Sequence, residues 1–145
     1  MTRKTHTQLY FEDVNVGDEL PGFTVKLDAT RMVKQVSGSQ DFYEVHHDTA
    51  FAQAGGHKDI FYNTGWTRAN LGRLLTDFVG DEGWVKKMRF EMRRMNMNGD
   101  TMQVKGRIAG KRPDSNEIDI ELWAENDREG ITTPASATVT LPSKA

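Results

Sequence analysis

The segment "TGWTRANLGRLLTDFVG" runs from Thr64 to Gly80. Within it Trp66, Leu71, Leu74, Leu75 and Phe78 recur at spacings of three to five, the repeat of one helix face, and Gly80 follows as a stop. After Gly83 the pattern changes to period two. Trp84, Met88, Phe90 and Met92 share one parity in "WVKKMRFEM"; Met102, Val104 and Ile108 do so in "TMQVKGRIAG", Ile118, Ile120 and Leu122 in "EIDIELWAE", and Ala135, Ala137, Val139 and Leu141 in "ITTPASATVTLP". "NGD" at Asn98–Asp100 and "PDSN" at Pro113–Asn116 supply turns between these runs. The C-terminal half therefore reads as an antiparallel meander with one apolar and one polar face. Covering that face with the single long helix gives an α+β layer structure, a long central helix packed against a curved antiparallel β-sheet.

Upstream, "YFEDVNVGDELPGFTVKL" reads as a strand-like entry, a turn at Gly17, Pro21 and Gly22, and a strand around Phe23 to Leu27. In "DATRMVKQVSGS", Asp28 or Thr30 is the expected N-cap of a short helix turning Met32, Val33 and Val36 inward. A second short helix, capped by Asp48 or Thr49, is expected to run through Ala54 and end at Gly55-Gly56.

The 145 residues fit one domain, and no Ser/Gly-rich or Pro-rich linker divides them. A single domain over 1–145 is expected, with an ordered core from about residue 9 to 141. Hydrophobic residues make up 37% against 28% charged, so a partner subunit is a reasonable expectation for burying enough apolar surface. Nineteen Lys and Arg against twenty-one Asp and Glu argue against a protein that wraps nucleic acid. The absence of cysteine excludes disulfides, thiol nucleophiles and zinc ribbons. "MTRKTHTQLYFEDV" has no apolar run, and no stretch approaches the ~20 apolar residues of a membrane span, so a cytoplasmic location is expected.

The chemistry concentrates in "SQDFYEVHHDTAFAQAGG", Ser39–Gly56. A metal site built on His46, Asp48 and His47 or His57 is disfavoured, because adjacent histidines rarely point to one centre. Ser37 and Ser39 lack the elbow and the spaced partners of a nucleophilic serine. An acid/base pair of Asp41 and His46, five residues apart across a loop, is permitted by spacing. The plainer alternative, that Asp41 caps a turn while His46 is a solvated loop residue, fits that spacing better.

Three segments, "YFEDVNVGDEL", "DFYEVHHDTAFAQAGG" and "LGRLLTDFVG", resemble the MaoC-like, (R)-specific enoyl-CoA hydratases, a hotdog-fold family. That family's motif, D-x-N-P-[IL]-H-x-D-x-x-F-A, falls on Asp41, Tyr43, Glu44, Val45, His46, Asp48, Phe51 and Ala52. Two departures stand out: Tyr43-Glu44 replaces Asn-Pro, and Asn63-Thr64-Gly65 stands where His-Gly-Met usually opens the long helix. "DFYEVHHD" followed by "KDIFYN" resembles more narrowly the small subunit of actinobacterial steroid side-chain hydratases, which works beside a second, non-identical hotdog chain.

The resemblance implies hydration of the 2,3 double bond of an enoyl-CoA thioester, possibly one with a bulky or steroid side chain. Asp41 and His46 would be the catalytic pair, in a homodimer or a heteromer of hotdog subunits. CoA belongs to the substrate, and neither a further cofactor nor a metal is expected. Backbone N–H groups of Thr64 and Gly65, at the positive end of the long helix, are the expected oxyanion site; for Gly65 a simple packing role is equally compatible. Tyr43, Asn63 and Trp66 are the expected pocket lining. Lys86, Lys87, Arg89, Arg93 and Arg94 are candidates for the CoA phosphates, although such a basic stripe is more often only solvated. His47 is expected to point away from His46, and His57 to be an exposed turn residue. A hotdog thioesterase and a non-catalytic partner subunit are the alternative readings.

Overall fold

The computed structural model describes residues 7–144. The charged start of the chain and the outer limits of the expected domain lie outside that range. The elements, in chain order, are β1 (Phe23–Lys26), α1 (Ala29–Ser39), α2 (Thr49–Ala54), α3 (Thr64–Val79), β2 (Trp84–Phe90), β3 (Thr101–Arg112), β4 (Glu117–Asn126) and β5 (Gly130–Thr140). The strands form one curled antiparallel sheet in the order β1-β3-β4-β5-β2, and α3 packs across β2 to β5.

Each helix begins on a side chain that satisfies a first-turn N–H. Asp28 caps α1 through the Arg31 N–H, Asp48 caps α2 through Phe51, and Asn63 caps α3 through Trp66. Leu71, Leu74 and Leu75 are buried at 0%, 1% and 0% exposure, so the helical periodicity of the sequence marks the face that meets the sheet. That face rests on Met102, Val104, Ile108, Ile118, Ile120, Leu122 and Val139, the inward residues of β3, β4 and β5. Gly106 on β3 makes close approach possible: a Cβ there would lie 3.3 Å from Leu74 Cδ2 and 3.2 Å from Leu122 Cβ. Gly80, at φ 69°, ends α3 in a conformation that glycine adopts without steric cost.

Several expectations are corrected. The entry segment is no strand: Phe11–Asp13 form a 3-10 turn, and Glu19 makes a single bridge to Arg107. Val33 is 61% exposed, because α1 turns only Met32, Gln35 and Val36 inward. The C-terminal strands are not a simple meander, since β2 leaves β3 and pairs with β5 at the far side of the sheet. The parity of β2 also fails, at Trp84. A register shift between Val85 and Lys87 puts Val85, Met88 and Phe90 against the core and leaves Trp84 71% exposed.

Gly83, in the turn from α3 to β2, has no room for a side chain. A Cβ there would lie 2.5 Å from the Val79 carbonyl oxygen and 2.8 Å from that of Thr140. Gly83→Ala is expected to destabilise the fold by about 1–3 kcal/mol, as overpacking does. Thermal denaturation checks it, and an unchanged melting temperature would show that the turn yields freely.

Candidate active site

The loop after α1 is pinned from below. Gln40 takes the left-handed conformation at φ 58° and turns the chain out of the helix, and the Asp41 N–H reaches Ser39 Oγ at 3.3 Å. A 3-10 turn over Glu44–His46 then buries Val45 and His46, both 5% exposed. Val45 packs with Phe61 and Met97, which anchors the turn and rotates the next side chain inward.

His46 Nδ1 lies 2.6 Å from the Phe61 carbonyl oxygen. A carbonyl only accepts, so Nδ1 carries the proton, and in the neutral ring Nε2 is the free acceptor. Nε2 faces Asp41 Oδ2 at 3.4 Å. Asp41 Oδ2 also accepts from Asn63 Nδ2 at 2.9 Å, and that amide, helped by the His46 ring only when the ring is protonated, holds the carboxyl below the usual aspartate range against a desolvation that opposes it.

These groups line a cleft of about 490 Å³. Tyr43, Val45, Phe61, Tyr62, Met92 and Met95 give it apolar walls; Ser39, Asn63, Thr64 and Gly65 join the catalytic candidates at its polar end. Asn63 takes the Trp66 N–H on its side chain and the Thr67 N–H on its carbonyl at 3.3 Å, so Thr64 and Gly65 supply the leading N–H groups of α3. A Cβ at Gly65 would meet only Asn63 Oδ1, at 3.5 Å. Packing within the chain therefore does not require glycine there.

Tyr43 is 56% exposed and stands edge-on to both His46 and Phe51. Trp66 lies outside this cleft, stacked on Tyr62 at 4.0 Å, and lines the adjoining groove between α1 and α3, which shares Ser39, Asn63 and Gly65 with the main cleft. His47 is exposed and bonds the Phe42 carbonyl, away from His46. His57 departs from expectation: it is half-buried, its ring 4.6 Å from that of Phe61. Among the described residues no group of three or more His, Cys, Asp or Glu is placed to hold a metal ion.

Of the basic residues, Lys86 pairs with Glu117, Arg93 with Glu91 and Arg94 with Glu129. Lys87 and Arg89 line a separate cleft of about 560 Å³ at β2, β4 and β5. Arg93 and Arg94 follow Met92 directly and flank the wall of the main cleft.

Sequence reasoning did not single out Ser39, Phe61, Tyr62, Met92 or Met95 as parts of the site. The motif runs from Asp41 to Ala52, while Ser39 precedes it and Phe61, Tyr62, Met92 and Met95 come from later segments, so only tertiary structure joins them.

No family model matches this sequence. It is 36% identical over 73 residues to the 3-oxo-4,17-pregnadiene-20-carboxyl-CoA hydratase beta subunit of Mycobacterium tuberculosis; the match spans 50% of this chain and 57% of that protein's length. The solved ChsH1-ChsH2 complex from Mycobacterium tuberculosis contains a chain that superposes with a TM-score of 0.81 at 26% identity, covering 88% of this chain and 98% of that one. The (R)-hydratase PhaJ1 from Pseudomonas aeruginosa superposes with a TM-score of 0.83 at 17% identity, covering 94% of this chain and 88% of the other. No helix among the described residues is long and apolar enough to cross a membrane. The central helix and the strand order accordingly give this chain the hotdog fold that it shares with those solved hydratase structures.

Proposed function

We propose that this chain is an enoyl-CoA hydratase, a hydro-lyase that adds water across the 2,3 double bond of a CoA thioester, working beside a second hotdog subunit. The observation that carries the proposal is the pairing of two proton acceptors, His46 Nε2 and Asp41 Oδ2, 3.4 Å apart in the cleft that the leading N–H groups of α3 also line.

Two acceptors side by side hold a water molecule by its two hydrogens. As the water oxygen attacks C3, one of its protons passes to the pair. The electrons of the double bond move toward the thioester, and the negative charge that gathers on its oxygen is met by the Thr64 and Gly65 N–H groups and the helix dipole. The pair then supplies a proton to C2, and the product is a 3-hydroxyacyl-CoA. Atoms and charge balance with water alone, and no cofactor enters the step.

The apolar walls formed by Tyr43, Phe61, Met92 and Met95, and the pregnadiene carboxyl-CoA in the relative's name, support a bulky acyl group. One of the similar solved structures is a two-protein complex, and the unpaired outer edge of β2 with exposed Trp84 gives a second chain a place to pair. Incubation with crotonyl-CoA and with a ring-bearing enoyl-CoA, alone and with a second hotdog subunit, tests the reading. Loss of the enoyl absorbance without release of thiol supports hydration. Thiol release would favour a thioesterase, and no turnover in any combination would leave a non-catalytic subunit.

A further inference from the structure

We infer that Asn63 is a positioning residue that couples the base to the oxyanion site, its side-chain amide holding the Asp41 carboxylate at one end and the first turn of α3 at the other. The inference rests on the hydratase reading for its kinetic consequence, but its geometry stands independently.

The two ends are chemically distinct. Asn63 Nδ2 donates to Asp41 Oδ2 at 2.9 Å, while Oδ1 accepts the Trp66 N–H at 2.8 Å. Flipping the amide would face oxygen toward a carboxylate and a donor toward an N–H, so only one orientation satisfies both partners. A carboxylate at this position keeps the cap and repels Asp41; a hydroxyl keeps the cap and loses the donor's reach. Asparagine is therefore matched to both demands, across 22 residues of chain to Asp41.

The consequence lies in the reaction's geometry. The proton acceptors and the N–H groups that receive negative charge must stay at a fixed separation, because they act on C3 and on the thioester oxygen of one substrate. His46 is held by the Phe61 carbonyl, but the Asp41 side chain is 40% exposed and would otherwise sample several rotamers. The titratable group facing Asp41 is His46; its other partners are the Asn63 amide and the Tyr43 backbone N–H.

The test uses the full chain, with its partner subunit where turnover requires it, and compares wild type with Asn63→Ser and Asn63→Asp. Both variants retain an N-cap, so their melting temperatures should stay close to that of wild type. In Asn63→Ser, kcat should fall about ten- to a hundred-fold, the effect of one hydrogen bond to a charged group, with little change in KM. In both variants the Asp41 carboxyl, followed by carbon-13 NMR, should titrate at higher pH, furthest in Asn63→Asp, where two carboxyls meet. An Asp41 titration unchanged in both variants, or a wild-type kcat in Asn63→Ser, overturns the inference. If wild type hydrates no enoyl-CoA, the functional reading fails while the carboxyl titration still decides whether Asn63 clamps Asp41.

Discussion

Asp41→Ala and His46→Ala each lower the rate of hydration by about 10²–10⁴-fold, the usual weight of a positioned acid or base. The two losses should not add, because a water held between two acceptors is released when either is gone. Their structural costs differ. The Asp41 side chain is 40% exposed and its removal should leave the fold intact, whereas His46 is 5% exposed and its loss strips the Phe61 carbonyl of its donor. His46→Asn separates the roles: its amide nitrogen falls near the position of Nδ1 and can still donate to Phe61, but nothing replaces Nε2. This variant should melt near wild type and remain inactive. Near-normal turnover in Asp41→Ala or in His46→Asn would remove the pair from the mechanism.

The pH dependence follows from the carboxyl alone. Its folded pKa lies below that of a free aspartate, so its contribution to stability is complete above the unfolded value of about 3.9 and is lost as pH falls through the lower folded value. Asp41 thus stays ionised at any pH above about 4. A fall in hydration rate between pH 4 and 7 in wild type must come from another group, and Asp41→Ala should differ least from wild type in stability under strong acid. Thermal melts of the two proteins across that range check the sign.

The helix α3 was legible because its apolar repeat coincides with the face that lies on the sheet, and Met102, Val104, Ile118, Ile120 and Leu122 were legible because β3 and β4 alternate without interruption through those positions. Two features defeated the same logic. A one-residue register shift in β2 puts Trp84 on the face opposite Met88 and Phe90, and no residue at Val85, Lys86 or Lys87 signals it. Strand order is non-local, so period two cannot tell that β2 pairs with β5 across the sheet rather than with β3. At the site, Asp41 and His46 stood out by their motif. The links from His46 to Phe61 and from Asn63 to Asp41 span 15 and 22 residues and leave no local trace. Among the basic residues, Lys86, Arg93 and Arg94 look alike in sequence to Lys87 and Arg89; only the fold shows that the first three form ion pairs, while Lys87 lies near Asp119 in a separate cleft.

Asp100→Ala is expected to cost about 3–5 kcal/mol, the penalty for breaking a largely buried ion pair from one side. The Asp100 side chain is 7% exposed and grips Arg128, itself 24% exposed, through Nε and Nη2, both at 3.0 Å. The same carboxylate accepts the Met97 N–H at 2.8 Å and Asn126 Nδ2 at 3.1 Å. Its loss leaves the guanidinium with only the more exposed Glu129 carboxylate and a buried N–H without an acceptor. For a chain of this size the melting temperature should fall by on the order of 10 °C. The effect should also reach the cleft, because Arg128 Nη2 donates to the Met95 carbonyl at 2.8 Å and Asn126 to the same oxygen at 3.3 Å, which fixes the segment whose Met92 and Met95 form one wall. With that segment loosened, KM should rise more for a ring-bearing enoyl-CoA, which leans on the wall, than for crotonyl-CoA, which does not reach it. Asp100→Asn restores an acceptor for Met97 without the charge and should recover part of the stability. A melting temperature within about 2 °C of wild type for Asp100→Ala, less than the shift of a single kcal/mol, would show that the network carries no net stability, and an equal rise in KM for both substrates would separate it from the acyl wall.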